Sequence, residues 1–186
     1  MALLLAACGQ PAGPPAPPGT DTGSVYHVGI VVDDLDTAMA RWTGDHAAGP
    51  FFVARHFPFH DAVLDGSALS PDVSLAFGYA GDFLIELIER HDSGPSPYER
   101  AGLHHVAYLS DDVGQSVAAA ESGGYDCRFR AGFPGGRLAY CRVAGATGAD
   151  YVEYVQRSDG IDALLAMMYE ASRGWDGADP VRELAF

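Results

Sequence analysis

The chain has 186 residues, 48% of them hydrophobic, which suffices for the core of one domain or of two small fused modules. Its 25 acids outnumber its 11 bases, every one of them arginine, and the net charge of −14 repels a phosphate backbone, so nucleic acid is not the expected partner. No apolar run approaches the ~20 residues that span a bilayer, and no transmembrane segment is expected.

Residues 1–23 stand apart from the fold. Leu4-Leu5-Ala6-Ala7-Cys8-Gly9 resembles a lipoprotein processing box, and the Pro, Ala and Gly after it resemble a tether. The apolar run is short and has no positive start. Two readings follow: a disordered leader ahead of a cytoplasmic domain, or a lipid anchor on Cys8. Cys8, Cys127 and Cys141 make no framework of closely spaced pairs, which points to a reducing compartment. Cys127 and Cys141 fall in expected strands and read as core residues.

From Val25 to Val32 the pattern predicts a strand with His27, Gly29 and Val31 on one face. Asp33-Asp34 offers caps for a short helix carrying Leu35, Met39 and Trp42, which Gly44 is expected to end. Phe51 to Phe59 reads as a strand, with His56 opposite Arg55 and Phe57, and Asp61 to Asp72 as a loop. Val73–Tyr79 and Phe83–Glu89 predict a hairpin turning at Ala80-Gly81-Asp82. After a Gly/Pro-bearing linker at 91–102 the same order returns: a strand at 103–110, a helix from Asp112 to about Ser122, and strands near 125–130, 137–143 and 150–156. Ile161, Leu164, Leu165 and Met168 then mark a tail helix to about Arg173. Its apolar stripe is suited either to a homodimer contact or to covering the domain's own sheet.

The two halves share phrases as well as order. His27-Val28 followed by a small residue, strand formers and Asp33-Asp34 matches His105-Val106 followed by Ala107 and Asp111-Asp112. Phe83-Leu84-Ile85-Glu86-Leu87 matches Asp150-Tyr151-Val152-Glu153-Tyr154, each a strand with one carboxylate on an apolar face. Each half therefore supplies one His and one Glu.

These modules resemble the vicinal oxygen chelate superfamily of glyoxalases, epimerases, extradiol dioxygenases and bleomycin-resistance proteins. Gly102-Leu103-His104-His105-Val106 is most similar to the glyoxalase and methylmalonyl-CoA epimerase-like branch. The resemblance implies an α+β fold of two tandem βαβββ modules, 24–90 and 103–157, joined by the linker 91–102, with a helical tail over 158–186. It also implies that His27, Glu86, His105 and Glu153 ligate one divalent metal ion (Zn, Co, Ni, Mn or Fe), and that Glu86 or Glu153 moves a proton. The strand period agrees, because Leu84, Glu86 and Ile88 share a face, as do Tyr151, Glu153 and Val155. A carboxylate on such a face is costly to bury unless paired or metal-bound.

A metal with two open positions chelates adjacent oxygens of a small-molecule substrate and stabilises the charge left when the neighbouring carbon loses a proton. The expected activity is an epimerase, isomerase or glyoxalase-type lyase acting through an enolate or enediolate. The alternatives are an extradiol-type dioxygenase and a non-catalytic binding or resistance protein. His104 is expected on the face opposite His105, supporting the site or the fold; Glu89 is expected in solvent and His56 as an additional acid or base; His46, His60 and His91 have no repeat partner. Arg128, Arg130, Arg137 and Arg142 form a candidate phosphate-binding cluster. Phe51, Phe52, Phe57, Tyr108, Phe133 and Tyr140 are candidate walls of an apolar cavity.

Overall fold

Each helix begins where a short polar side chain follows a strand. In the computed structural model, which describes residues 23–143 and 149–185, β1 (Val25–Val32) runs into Asp34. The Asp34 carboxylate accepts the Thr37 N–H at 2.7 Å and opens α1 (Leu35–His46). The leader and its lipoprotein-like Cys8 lie outside the described residues. Gly44 does not end the helix; the chain leaves it at Ala47, which takes the left-handed conformation (φ 52). A glycine stops a helix only where it occupies that left-handed position, and inside a turn it merely weakens it.

The expected strand at 51–59 is broken. β2 (Phe51–Ala54) ends early because His56 turns left-handed (φ 48) and the Phe57 N–H bonds to Val73 O at 2.7 Å. The expected loop at 61–72 contains β3 (His60–Leu64) and β4 (Ser67–Ala68), hinged on Asp65-Gly66, both at positive φ as a tight hairpin turn requires. β5 (Val73–Ala80) and β6 (Phe83–Arg90) form the expected hairpin. The second half follows its prediction more closely: β7 (Gly102–Ser110), α2 (Val113–Ser122) capped by Asp112, β8 (Tyr125–Phe133), β9 (Gly136–Val143) and β10 (Tyr151–Gln156). Ser158 caps α3 (Asp159–Ser172), and an unanticipated strand, β11 (Val181–Glu183), closes the chain.

All strands join one sheet in the order β11-β2-β5-β6-β1-β7-β10-β9-β8-β3-β4. The central eight read as one module (β2-β5-β6-β1) and its mirror in sequence (β7-β10-β9-β8), meeting at the antiparallel β1–β7 pair. The remaining strands cover the ends: β11 pairs with β2, and the β3–β4 hairpin of the first module crosses to β8 of the second. The outer edges of the sheet are thereby its two shortest strands, β11 and β4.

Period-2 alternation sorts the core. Ile85 and Leu87 of β6 face α1 with Leu35, Met39 and Phe51, while Leu84 and Ile88 face inward, as does Glu86 between them. α2 sits on the outer face of the second half through Val113, Val117 and Ala120, against Ala139 and Cys141. α3 spends its stripe on the protein's own sheet: Leu165 and Met168 are buried there, and the Tyr169 hydroxyl donates to Asp82 at 2.8 Å.

Cys127 and Cys141 are not free core thiols. The antiparallel register of β8 and β9 sets them directly opposite, and they form a disulfide.

Candidate metal centre

β1 and β7 cross at the molecule's centre, where Gly29 lies opposite His105 and Ala107 opposite His27. The small residues leave room for the rings. A Cβ added to Gly29 would lie 1.9 Å from His105 Cε1, so only glycine fits while the imidazole stands there. β6 and β10 run parallel to β1 and β7 and bring Glu86 and Glu153 to the same inner face.

The four side chains expected from the repeat converge. His27 Nε2 lies 2.9 Å from His105 Nε2. Glu153 Oε2 is 3.1 Å from both nitrogens, and Glu86 Oε2 is 3.1 Å from His105 and 3.4 Å from His27. All four residues are at most 5% exposed, a depth at which unpaired charge is not tolerated. Both carboxylate Oε2 atoms nevertheless lack a hydrogen bond, their approach to the imidazoles being close but poorly aligned.

That geometry fits a shared cation. Donors about 2.1 Å from one ion lie about 3.0 Å apart at right angles and about 3.4 Å apart in a tetrahedron, the range found here. Borderline imidazoles with hard carboxylates suit a divalent transition metal. Electrostatics agree: burial alone would pull His105 down, but Glu153 and Glu86 push it up to about 9, and they raise His27 in the same way. Burial would raise the two carboxyls, but the facing imidazoles hold both below the ordinary carboxylate range.

A β-bulge orients one of the rings. Gly29 pairs with His105 and Ile30 with Leu103, so His104 is an extra residue in β7. It turns toward His105 instead of to the opposite face, contrary to simple alternation. His104 Nε2 lies 3.0 Å from the carbonyl of Pro97, which can only accept, so that nitrogen carries the proton. His104 Nδ1 is then an acceptor, and His105 Nδ1, 2.9 Å away, donates to it. The relay fixes the ring with His105 Nε2 facing the cluster. Burial and the neighbouring His105 pull His104 down to about 4, in keeping with its neutral role.

The model of the glyoxalase/bleomycin resistance protein/dioxygenase superfamily matches residues 26–140, more than half of the chain. The chain belongs to that superfamily. Among solved structures, a hypothetical protein, BH1468 from Bacillus halodurans, is 19% identical with a TM-score of 0.52, covering 73% of this chain and 95% of its own. Methylmalonyl-CoA epimerase from Mycobacterium tuberculosis is 18% identical with a TM-score of 0.52, covering 76% and 93%. These likenesses are of fold. No curated protein matches the sequence.

In this member of the superfamily an apolar cavity of about 230 Å³ opens onto the cluster, with His27, Glu86 and Glu153 in its wall. Of the six aromatic residues expected there, Phe57, Phe133 and Tyr140 line it. Phe51 instead packs under α1, Phe52 sits in the core, and Tyr108 stacks loosely on Tyr154. Tyr26, Phe59 and Phe77 belong to the wall and were missed; Phe77 is the cross-strand partner of Glu86, a signal only a known register provides. Ile161 and Leu164 of α3, together with Leu184, roof the cavity.

Other expectations are corrected. Glu89 does not face open solvent: it is partly buried, and its carboxylate accepts the Leu35 N–H at 3.3 Å, where the α1 dipole favours a negative charge. His56 is exposed, paired with Asp72, and absent from the cavity wall, so it is no acid or base for this site. Arg128 is held by Asp65, and Arg130 by Glu121 at 2.8 Å. Among the described residues, no arginine lines this cavity.

Proposed function

We propose that the protein is a divalent-metal-dependent enzyme that removes a proton from carbon next to a carbonyl, in the epimerase, isomerase or glyoxalase-type lyase class. His27, Glu86, His105 and Glu153 would hold one ion, which when bound supplies a Lewis acid for charge building on adjacent substrate oxygens. The observation that carries this reading is the convergence of four buried donor atoms, three of them from residues in the wall of an apolar cavity.

The chain's own residues supply the remaining functions. Glu86 and Glu153 reach both the donor cluster and the cavity, so either one can take the proton and return it. His105 lies behind them, anchored by His104. The rings of Phe57, Phe59, Phe77 and Phe133 favour an apolar substrate body and keep water away from the reacting carbon. With Arg128 and Arg130 engaged elsewhere, a substrate's anionic groups would remain outside the cavity. The Cys127–Cys141 disulfide favours an oxidising compartment, the setting of the lipid-anchored alternative more than of the cytoplasm.

Solvent deuterium exchange into 2-oxo, hemithioacetal and acyl-CoA compounds, with added divalent ions, tests the proposal. Label should enter the carbon next to a carbonyl, and Glu153→Gln or Glu86→Gln should abolish it. Exchange that persists in both variants would remove these carboxylates from the chemistry.

A further inference from the structure

A second group of metal-type side chains lies at the rim of the first module, unrelated to the repeat. His56 follows β2, Asp72 precedes β5 and His91 follows β6, and one donor atom from each lies within 4.8 Å of the others. His56 Nδ1 is 2.7 Å from Asp72 Oδ1, and the two imidazole rings stand 4.8 Å apart between centroids. Along β5, Ser74 is three residues from Phe77, the partner of Glu86, which puts this group roughly 10 Å or more from the buried cluster.

We infer that His56, Asp72 and His91 form a separate surface site for a borderline divalent ion such as Zn, Co, Ni or Cu. Two imidazoles and one carboxylate select such ions over Mg or Ca, which prefer oxygen alone. The three residues come from three chain segments, and the surrounding structure holds each of them. Ser74, 1% exposed, accepts the His56 N–H at 3.1 Å, and its hydroxyl lies 2.7 Å from His91 Nε2, while His91 Nδ1 faces Glu89 Oε1 at 3.9 Å. The Asp72 N–H bonds to Asp92 at 2.9 Å, and the His91 N–H to Asp72 O at 2.9 Å. His56 takes the left-handed conformation where it joins the group, φ 48.

No two of the three donor atoms are more than 4.8 Å apart, close to the ~4.2 Å between opposite ligands of an ion 2.1 Å from each. The His56 side chain is 68% exposed, so water completes the shell. An ion there clamps the turn after β2 to the β5–β6 hairpin. That turn leads into Phe57 and Phe59 of the cavity wall.

Equilibrium dialysis of the full chain against zinc chloride tests the site independently of the buried one. Wild type should hold two ions per chain, a His56→Gln/His91→Gln variant one fewer, and a Glu86→Gln/Glu153→Gln variant should keep the surface ion. Asp72→Asn, retaining both imidazoles, should weaken that ion roughly tenfold to a hundredfold. Zinc should raise the melting temperature of the Glu86→Gln/Glu153→Gln variant, and adding His56→Gln and His91→Gln to that variant should abolish the rise. If the His56/His91 variant binds as much zinc as wild type, the site does not exist. Failure of the buried site reads differently: wild type then holds one ion and the His56/His91 variant none.

Discussion

The two halves of the centre carry the same irregularity with different residues in it. In β1 the pairing passes from Val25 opposite Tyr108 to His27 opposite Ala107, so Tyr26 is the extra residue, as His104 is in β7. Each bulge sets an aromatic ring beside the following imidazole: Tyr26 lies 4.2 Å from His27 between centroids, edge to face, and His104 lies 5.2 Å from His105. The chemistry diverges from there. His104 accepts a hydrogen bond and fixes the tautomer of His105, whereas Tyr26 makes no such bond and lines the cavity, and His27 Nδ1, though buried, has no partner among the described residues. The duplicated backbone makes two half-sites, and one residue in each bulge makes them unequal. His105 is held by hydrogen bonds, and His27 by packing and by the donors it faces.

The severest way to break this arrangement is Gly29→Ala. Its methyl group would occupy the space of the His105 ring, and the expected result is loss of tightly held metal, read by elemental analysis of the purified protein. Full metal retention would mean that the close approach of β1 and His105 is not needed. The inequality itself is tested by a pair of substitutions. His104→Phe keeps an aromatic ring but removes the relay, and should weaken metal binding roughly tenfold to a hundredfold in a competition titration. Tyr26→Phe, at the equivalent position, should leave affinity unchanged. Equal effects of the two would erase the distinction drawn here.

A smaller effect falls on the second half alone. The disulfide ties Cys127 of β8 to Cys141 of β9 across a sequence separation of 14, and a Cys127→Ser/Cys141→Ser variant should lose about 2–3 kcal/mol in urea unfolding. Stability unchanged by the substitution would show that the paired strands hold themselves.

The tetrad was legible in the sequence because a duplication displays its own equivalences: a His-Val phrase and an apolar strand with one Glu occur twice, and period-2 alternation puts both carboxylates on inward faces. The Asp caps of α1 and α2 were legible for the same local reason. What stayed hidden depends on register between strands distant in sequence. Simple alternation sends His104 away from His105, and only the pairing of β7 with β1 shows the extra residue that turns it back. The Cys127–Cys141 bond needs the β8–β9 register. β3 was not legible because its partner, β8, lies in the other module. Three residues of tail, Val181–Glu183, carry too little pattern to announce a strand; β2 supplies their ladder.

The central claim is that His27, Glu86, His105 and Glu153 bind one ion together. Crystals grown with cobalt, with diffraction recorded at the cobalt edge, test it most directly. An anomalous peak should stand about 2.1 Å from one donor atom of each of the four residues. A centre without such a peak, in crystals whose cobalt appears elsewhere, would contradict the account.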